Sequence, residues 1–183
     1  HASEAALKPC FKQQPALDRF IETRYRIDPL RLLAPYQQQN IQILTFADEA
    51  YPEMLKSTQD APAVLYVKGN VQALSAKNLA IVGTRRITNY GVQMTERLVN
   101  EVASWNPCIV SGLAEGVDTI AHKAALQNKL QTVAVFGTGI DMIFPVGNKR
   151  LAESIVEADG ALVSELPLGT PGDKFNFPNR NRI

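Results

Sequence analysis

Four short apolar runs in the second half of the chain constrain its fold more than any other feature. They occupy residues 79–82, 108–110, 132–136 and 161–163, and each is apolar from end to end or nearly so. Such runs are typical of strands buried on both faces, and the helical stretches between them imply crossover connections. The alternation predicts an α/β fold, a doubly wound and mainly parallel sheet with right-handed crossovers.

The first part of the chain has a different character. Its apolar residues recur at helical spacing, and several prolines argue against one long helix. Residues 41–44 and 64–67 predict two further strands. We therefore expect a short helical N-terminal segment over residues 1–40, followed by an α/β domain over residues 41–183.

The composition excludes several classes of protein. Hydrophobic residues make up 45% of the 183 residues and charged residues 20%, which favours a packed core over disorder. No apolar run approaches the ~20 residues that cross a bilayer, and no secretion signal is visible, so we expect a cytoplasmic protein with no membrane contact. The net charge is only +1, so any role in nucleic-acid binding must depend on local clusters of cations.

The two cysteines, Cys10 and Cys108, are too few to staple a domain of this size. Cys108 lies in an apolar run, which predicts a buried free thiol. The chain opens with His1 and stops at Ile183 inside an apparent motif. We interpret it as a fragment that is truncated at its C-terminus.

Ligands of such sheets bind outside the carboxyl ends of the strands, and Gly83-Thr84-Arg85-Arg86 directly follows the first apolar run. Glycine allows a close approach of the backbone, while a hydroxyl and two guanidinium groups would clamp a phosphate. A simple turn with two solvated arginines fits the same residues.

A second glycine-containing loop, residues 111–118, follows the next run. Asp118 is placed to cap the following helix, and His122 lies four residues later on the same helical face. The pair invites a catalytic interpretation, but we favour a capping Asp118 and a packing His122. Ser111 does not match a nucleophile elbow, because position 109 is Ile where that motif requires Gly.

The third loop begins like a dinucleotide-binding fingerprint with Gly137-Thr138-Gly139, but Met142 occupies the third glycine position. A Walker A loop is also absent, and the two histidines and two cysteines form no cluster with metal-ligand spacing. We therefore expect no cofactor and no metal.

The last segment, residues 169–183, interleaves cations with aromatic rings. It contains Lys174, Phe175, Phe177, Arg180 and Arg182, and it is too rich in proline and glycine to predict a regular element. Cations along a path with aromatic faces between them are what single-stranded nucleic acid needs. An ordinary polar loop pinned by its two phenylalanines would have a similar sequence.

Taken together, these segments resemble the DNA-processing protein A family (DprA, also called Smf). The matching motifs, in the family's order, are residues 81–86, residues 110–118 with 121–122, residues 137–141 with 144–145, and residues 164–165 leading to 177–182. The resemblance covers the chain from about residue 41 to its end. It implies an extended Rossmann-like fold that binds single-stranded DNA, protects it and loads the RecA recombinase on it during natural transformation, without catalysis.

The resemblance also implies a DNA pocket around Gly83, Thr84 and Arg85, completed by Lys174 and Phe177. With the neighbouring loop residues and cations, the expected DNA-binding residues are Gly83, Thr84, Arg85, Arg86, Ser111, Gly112, Lys174, Phe177, Arg180 and Arg182. Residues 1–40 would be the remnant of the family's variable N-terminal domain. The family's fold continues beyond the motif at Ile183 and helps there to form a dimer, so we expect a homodimer of the full-length protein.

An enzyme of nucleotide metabolism is the alternative hypothesis. Phosphoribohydrolases share a related α/β fold, and Thr138 or Glu165 would then act on a bound nucleotide. Their Pro-Gly-Gly-x-Gly-Thr loop is missing, and its nearest match is Gly137-Thr138-Gly139. Release of base from nucleoside monophosphates would distinguish the two hypotheses.

Overall fold

The structure, a computed structural model, describes residues 8–10 and 12–183. What the sequence predicts for residues 1–7 and 11 lies outside the described residues. The chain forms two compact units, one ending at Gln39 and the other spanning Asn40–Ile183.

The first unit contains two helices, α1 (Gln14–Arg26) and α2 (Pro29–Gln38), after a 3₁₀ turn at Lys8–Cys10. Each helix has a proline in its first turn, where a missing N–H costs no hydrogen bond. Asp28 caps α2, because its carboxylate accepts hydrogen bonds from the first amides of that helix. The prediction of short helical pieces is confirmed for the described part of this region.

The second unit is built on one six-stranded sheet. Its strands are β1 (Ile41–Thr45), β2 (Val64–Gly69), β3 (Asn78–Ala80), β4 (Cys108–Ser111), β5 (Thr132–Val135) and β6 (Ala161–Ser164), in the spatial order β1-β2-β6-β5-β4-β3. Strands β3 to β6 are parallel to one another, whereas β2 is antiparallel to both β1 and β6. The predicted α/β fold with a mainly parallel sheet is confirmed.

Three crossover helices cover one face of the sheet: α4 (Asn89–Val102), α5 (Val117–Gln127) and α6 (Lys149–Glu157). Strands β3 to β6 are neighbours in chain order without a reversal, so right-handed crossovers place these helices on the same side. The predicted double winding, which needs crossover helices on both faces, is therefore not formed by the described residues. The apolar stripes of the three helices pack on alternate strand residues, as Val99 and Ala121 do on Ile109.

The second face carries thinner cover. Helix α3 (Glu53–Lys56) and the 3₁₀ turn Val71–Ser75 pack there, and the core on this side includes Tyr51, Leu65 and Val133. An apolar groove of about 490 Å³ remains open on this face, lined in part by Val110 and Ile183.

Cys108 is a buried free thiol as predicted, and burial raises its pKa to about 12.

The C-terminal segment, predicted to lack regular structure, instead contains a short helix, α7 (Asn176–Arg180). That prediction was wrong because tertiary contacts of Phe177 and Arg180, three positions apart and therefore on one side of the helix, hold this turn in place.

The parallel strands β3 to β6 point their carboxyl ends toward one edge of the sheet. The loops that follow them are residues 81–88, 112–116, 136–145 and 165–175, the last leading into α7. Among the described residues, no helix is both long and apolar enough to span a membrane.

Candidate functional site

A small pocket of about 120 Å³ lies at the carboxyl edge of the sheet, and all four strand-end segments contribute to it. Its lining residues are Arg85 after β3, Gly112, Ala114 and Glu115 after β4, Phe144 and Pro145 after β5, and Phe177 and Arg180 after β6. The sequence rule that ligands bind outside strand ends therefore leads to one shared concavity in this chain.

Arg85 and Phe177 meet in this pocket. The guanidinium carbon of Arg85 lies 5.4 Å from the centroid of the Phe177 ring, within the range of a cation–π contact. Arg85 is exposed and Phe177 is half-buried. A positive charge and an aromatic ring thus stand side by side at the surface.

The loop of Arg85 is held by hydrogen bonds within itself and to the neighbouring loop. The amide of Val117 donates to the carbonyl oxygen of Thr84 at 3.2 Å, and the amide of Arg86 donates to Thr84 Oγ1 at 3.1 Å. A Cβ on Gly83 would lie 2.6 Å from a methyl group of Val117. Gly116, at φ +81°, passes so close to the Thr84 carbonyl that a side chain would overlap it.

The loop after β4 is fixed by Asp118. Its carboxylate accepts hydrogen bonds from the amides of Gly112 at 3.1 Å and Ala114 at 3.3 Å. The predicted cap is therefore wrong, because Asp118 lies inside α5 and binds the preceding loop, while Gly116 occupies the N-cap position. Ser111 is buried, and its hydroxyl donates to the carbonyl of Ile81 at 2.6 Å.

His122 is a packing residue, as we favoured from the sequence. It is fully buried, and its Nδ1 lies 2.7 Å from Thr132 Oγ1. The Thr132 hydroxyl donates its proton to the carbonyl oxygen of Ile109 at 2.6 Å. His122 Nδ1 is therefore protonated and donates to Thr132 Oγ1. Burial, helped by the charge of Arg180, lowers the pKa of His122 to about 3.

The cations predicted in the C-terminal segment have different surroundings. Lys174 is exposed, and its ammonium nitrogen lies 4.9 Å from the Phe175 ring centroid, outside the residues that line the pocket. Arg182 forms an ion pair with Glu165 and also donates to the carbonyl of Asp60. Lys174 is therefore open to a ligand, whereas Arg182 already has partners.

Arg180 is half-buried and donates through Nη1 to the carbonyls of Gly112, at 3.0 Å, and Val135. Arg86 is exposed in the loop after β3. The ion pairs among the described residues involve other cations, namely Arg31, Lys56, Arg97 and Arg182. Arg85, Arg86 and Lys174 thus carry charges that no carboxylate of the described residues neutralises through an ion pair.

Sequence reasoning did not select Phe144 and Glu115. The Phe144 ring is 54% exposed and lies 5.7 Å from the Phe177 ring, between centroids, so the pocket has two aromatic walls. Glu115 is exposed and brings a negative charge to the same rim. Two signals were available, since both residues follow a buried strand and both lie within the motifs that resemble the family.

The residues of the alternative hypothesis are occupied elsewhere. Thr138 is buried, and its hydroxyl donates to the carbonyl of Met142 at 2.6 Å. Glu165 is paired with Arg182. Within residues 8–10 and 12–183, no group of His, Cys, Asp and Glu side chains is arranged to hold a metal ion.

Comparison with known proteins identifies relatives of this chain. The family model of DNA recombination-mediator protein A matches residues 42–183. Protein Smf of Escherichia coli is 43% identical over 147 residues, which cover 80% of this chain and 39% of that protein. The chain thus spans well under half of that curated relative.

Solved structures agree with the sequence comparison. The X-ray structure of DNA processing protein A from Streptococcus pneumoniae matches 98% of this chain and 61% of its own, with 36% identity and a TM-score of 0.84. DNA processing protein A from Helicobacter pylori, whose structure concerns its single-stranded DNA binding mode, matches 77% of this chain and 62% of its own, with 34% identity and a TM-score of 0.67. On the shared sequence, fold and motif order, this chain belongs to the DNA recombination-mediator protein A family.

Proposed function

We propose that residues 41–183 form a domain that binds single-stranded DNA at the carboxyl edge of the sheet. The observation that carries the proposal is the placement of the Arg85 guanidinium against the Phe177 ring, in a pocket to which all four strand-end segments contribute. The reported single-stranded DNA binding of the Helicobacter pylori relative supports the same ligand.

The chemistry of the edge suits a bare strand. Arg85, Arg86 and Lys174 are exposed and offer charge to successive phosphates, which makes binding sensitive to salt. The rings of Phe177 and Phe144 offer faces to a base, and stacking contributes ~1–3 kcal/mol per base without reading its identity. Binding of this kind tolerates any sequence.

The remaining predicted residues shape the edge in this proposal. Gly83 and Thr84 set the path of the loop that presents Arg85, and Ser111 and Gly112 fix the adjoining loop. Arg182 lies outside the pocket lining and is paired with Glu165, so it contributes a phosphate contact only when that pair opens.

We place this binding in natural transformation. The protein would protect incoming single strands in the cytoplasm and load the RecA recombinase on them, with no chemical step of its own. Each pocket is small, so two copies that share one strand would gain affinity through their effective concentration. The names of the family and of the DNA processing relatives support a role in DNA recombination.

Fluorescence anisotropy with a labelled oligothymidylate across a salt series tests the DNA site. Arg85→Ala and Lys174→Ala should each weaken binding and lower the salt slope by about one per lost phosphate contact. Arg97→Ala is the matched arginine control, since Arg97 is exposed on α4 and paired with Glu101. Lys77→Ala is the matched lysine control, because Lys77 precedes β3 at the opposite edge of the sheet.

Unchanged affinity in both Arg85→Ala and Lys174→Ala would refute the proposed site. An equal loss of affinity in the two control variants would show that the net charge of the protein, and not this edge of the sheet, determines DNA binding. The RecA step has its own assay, in which the protein should speed RecA filament growth on strands already covered by a single-strand-binding protein. No acceleration there would refute the loading role while leaving the DNA site intact.

A further inference from the structure

Arg180 turns its guanidinium toward the ends of the central strands. Nη1 donates to the carbonyl of Gly112 at 3.0 Å and to the carbonyl of Val135, and Nε donates to the side-chain oxygen of Asn181 at 3.1 Å. Burial lowers the pKa of Arg180, and the charge of Asp118 opposes that shift. Nε and Nη1 of this arginine are therefore engaged with three protein oxygens.

Gly112 is clamped between two opposite charges. Its amide donates to the carboxylate of Asp118 at 3.1 Å, while its carbonyl accepts from Arg180. Asp118 is only 5% exposed, so it balances the arginine inside the protein. A Cβ at position 112 would overlap the guanidinium, so any side chain there would displace Arg180 from its present position.

The same arginine holds the helix that carries Phe177. Helix α7 has only five residues, too few to be stable by itself, so its position depends on tertiary contacts. Phe177 lies three residues before Arg180 and packs over Gly137, where a Cβ would lie 2.7 Å from the ring. Arg180 ties one end of this helix to β4 and β5, and the Phe177 ring then reaches Arg85.

We propose that Arg180 is a positioning residue of the DNA site: it locks α7 so that Phe177 faces the bound strand, and it does not bind a phosphate itself. This inference rests on the proposed function. It departs from the expectation, drawn from the sequence, that Arg180 contacts DNA directly.

Two variants separate the roles. Arg180→Lys keeps the positive charge but has one nitrogen in place of Nε and Nη1, which together bind three protein oxygens. Arg180→Met removes both the charge and these hydrogen bonds. If Arg180 binds a phosphate, a lysine can replace it, whereas a lysine cannot replace an arginine that holds α7 in place. Both variants, Phe177→Ala and the double variant Phe177→Ala/Arg180→Lys are titrated with labelled oligothymidylate across a salt series, after circular dichroism confirms that they fold.

A positioning role predicts that Arg180→Lys and Arg180→Met weaken binding alike, by roughly tenfold, within the range for one lost stacked base. The salt slope stays at the wild-type value, and the double variant binds no more weakly than Phe177→Ala. An Arg180→Lys protein with wild-type affinity, beside an Arg180→Met protein whose slope falls by about one, would overturn the inference. Unchanged affinity in both would also overturn it.

Hydrogen exchange without DNA separates this inference from the proposed function. If Arg180 locks α7, amides of residues 174–183 exchange faster in Arg180→Lys than in the wild-type protein, whatever the ligand is. Equal exchange rates would refute the lock. If Arg85→Ala and Phe177→Ala both bind DNA as well as the wild-type protein does, the proposed function is refuted instead.

Discussion

His122 should make the stability of this protein depend on pH between 7.5 and 5. The side chain is fully buried beside Thr132, and its pKa falls from the ordinary 6.5 to about 3. At pH values between these two pKa values, the His122 imidazole is mostly protonated in the unfolded chain and mostly neutral in the folded chain. Stability is therefore complete above pH 6.5 and declines as the pH falls toward 3.

The two pKa values give the magnitude. At pH 5 the imidazole of the unfolded chain is almost fully protonated and that of the folded chain is neutral, so the free energy of unfolding falls by about 2 kcal/mol from its value at pH 7.5. Urea unfolding followed by circular dichroism at pH 7.5, 6 and 5 measures this loss. Most carboxylates titrate below this range and act equally in the variants that follow.

The chain has only two histidines, which provides the controls. His122→Leu removes the group, so its free energy of unfolding should change by much less than 2 kcal/mol over the same range. His1→Ala keeps His122 and should behave like the wild-type protein. A wild-type stability that is equal at pH 7.5 and 5, or a His122→Leu variant with the wild-type dependence, would contradict the buried neutral imidazole.

Three further predictions concern the pocket and the core. Glu115→Gln removes a negative charge from the rim and should tighten single-stranded DNA binding about threefold at low salt, with no gain at high salt in the same anisotropy assay. Gly137→Ala should push the Phe177 ring out of place and weaken binding by roughly tenfold; a wild-type affinity would show that the ring position is unimportant. In a Cys10→Ser protein, Cys108 should resist a thiol reagent at pH 8 until urea unfolds the chain, because its pKa is about 12, and rapid labelling of the folded protein would contradict this.

The sheet could be predicted from the sequence because its strands are short runs buried on both faces. Nearly continuous apolar runs such as residues 132–136 are typical of parallel strands that are covered on both faces. The positions of the strand-end loops followed from the same runs, and the structure has a pocket at the edge where these loops meet. Helix α7 was missed because its five residues have little helical propensity and depend on Phe177 and Arg180 for their conformation.

The roles of individual side chains were harder to predict. Arg180 and Arg182 are two residues apart in the sequence, yet their partners differ. Arg180 donates to backbone carbonyls at the ends of the central strands, whereas Arg182 forms an ion pair with Glu165 in the loop after β6. Asp118 looked like a helix cap because capping is a local pattern, whereas its actual partners depend on the fold of the preceding loop. Charge at a sequence position does not reveal which cations remain free for a ligand.

A crystal structure with a short oligothymidylate bound tests the central claim most directly. We expect a phosphate oxygen about 2.7–2.9 Å from the Arg85 guanidinium, a base stacked on Phe177 or Phe144, and the Arg180 contacts unchanged. An oligonucleotide bound elsewhere, with Arg85 still against Phe177 and the pocket empty of phosphate and base, would contradict it.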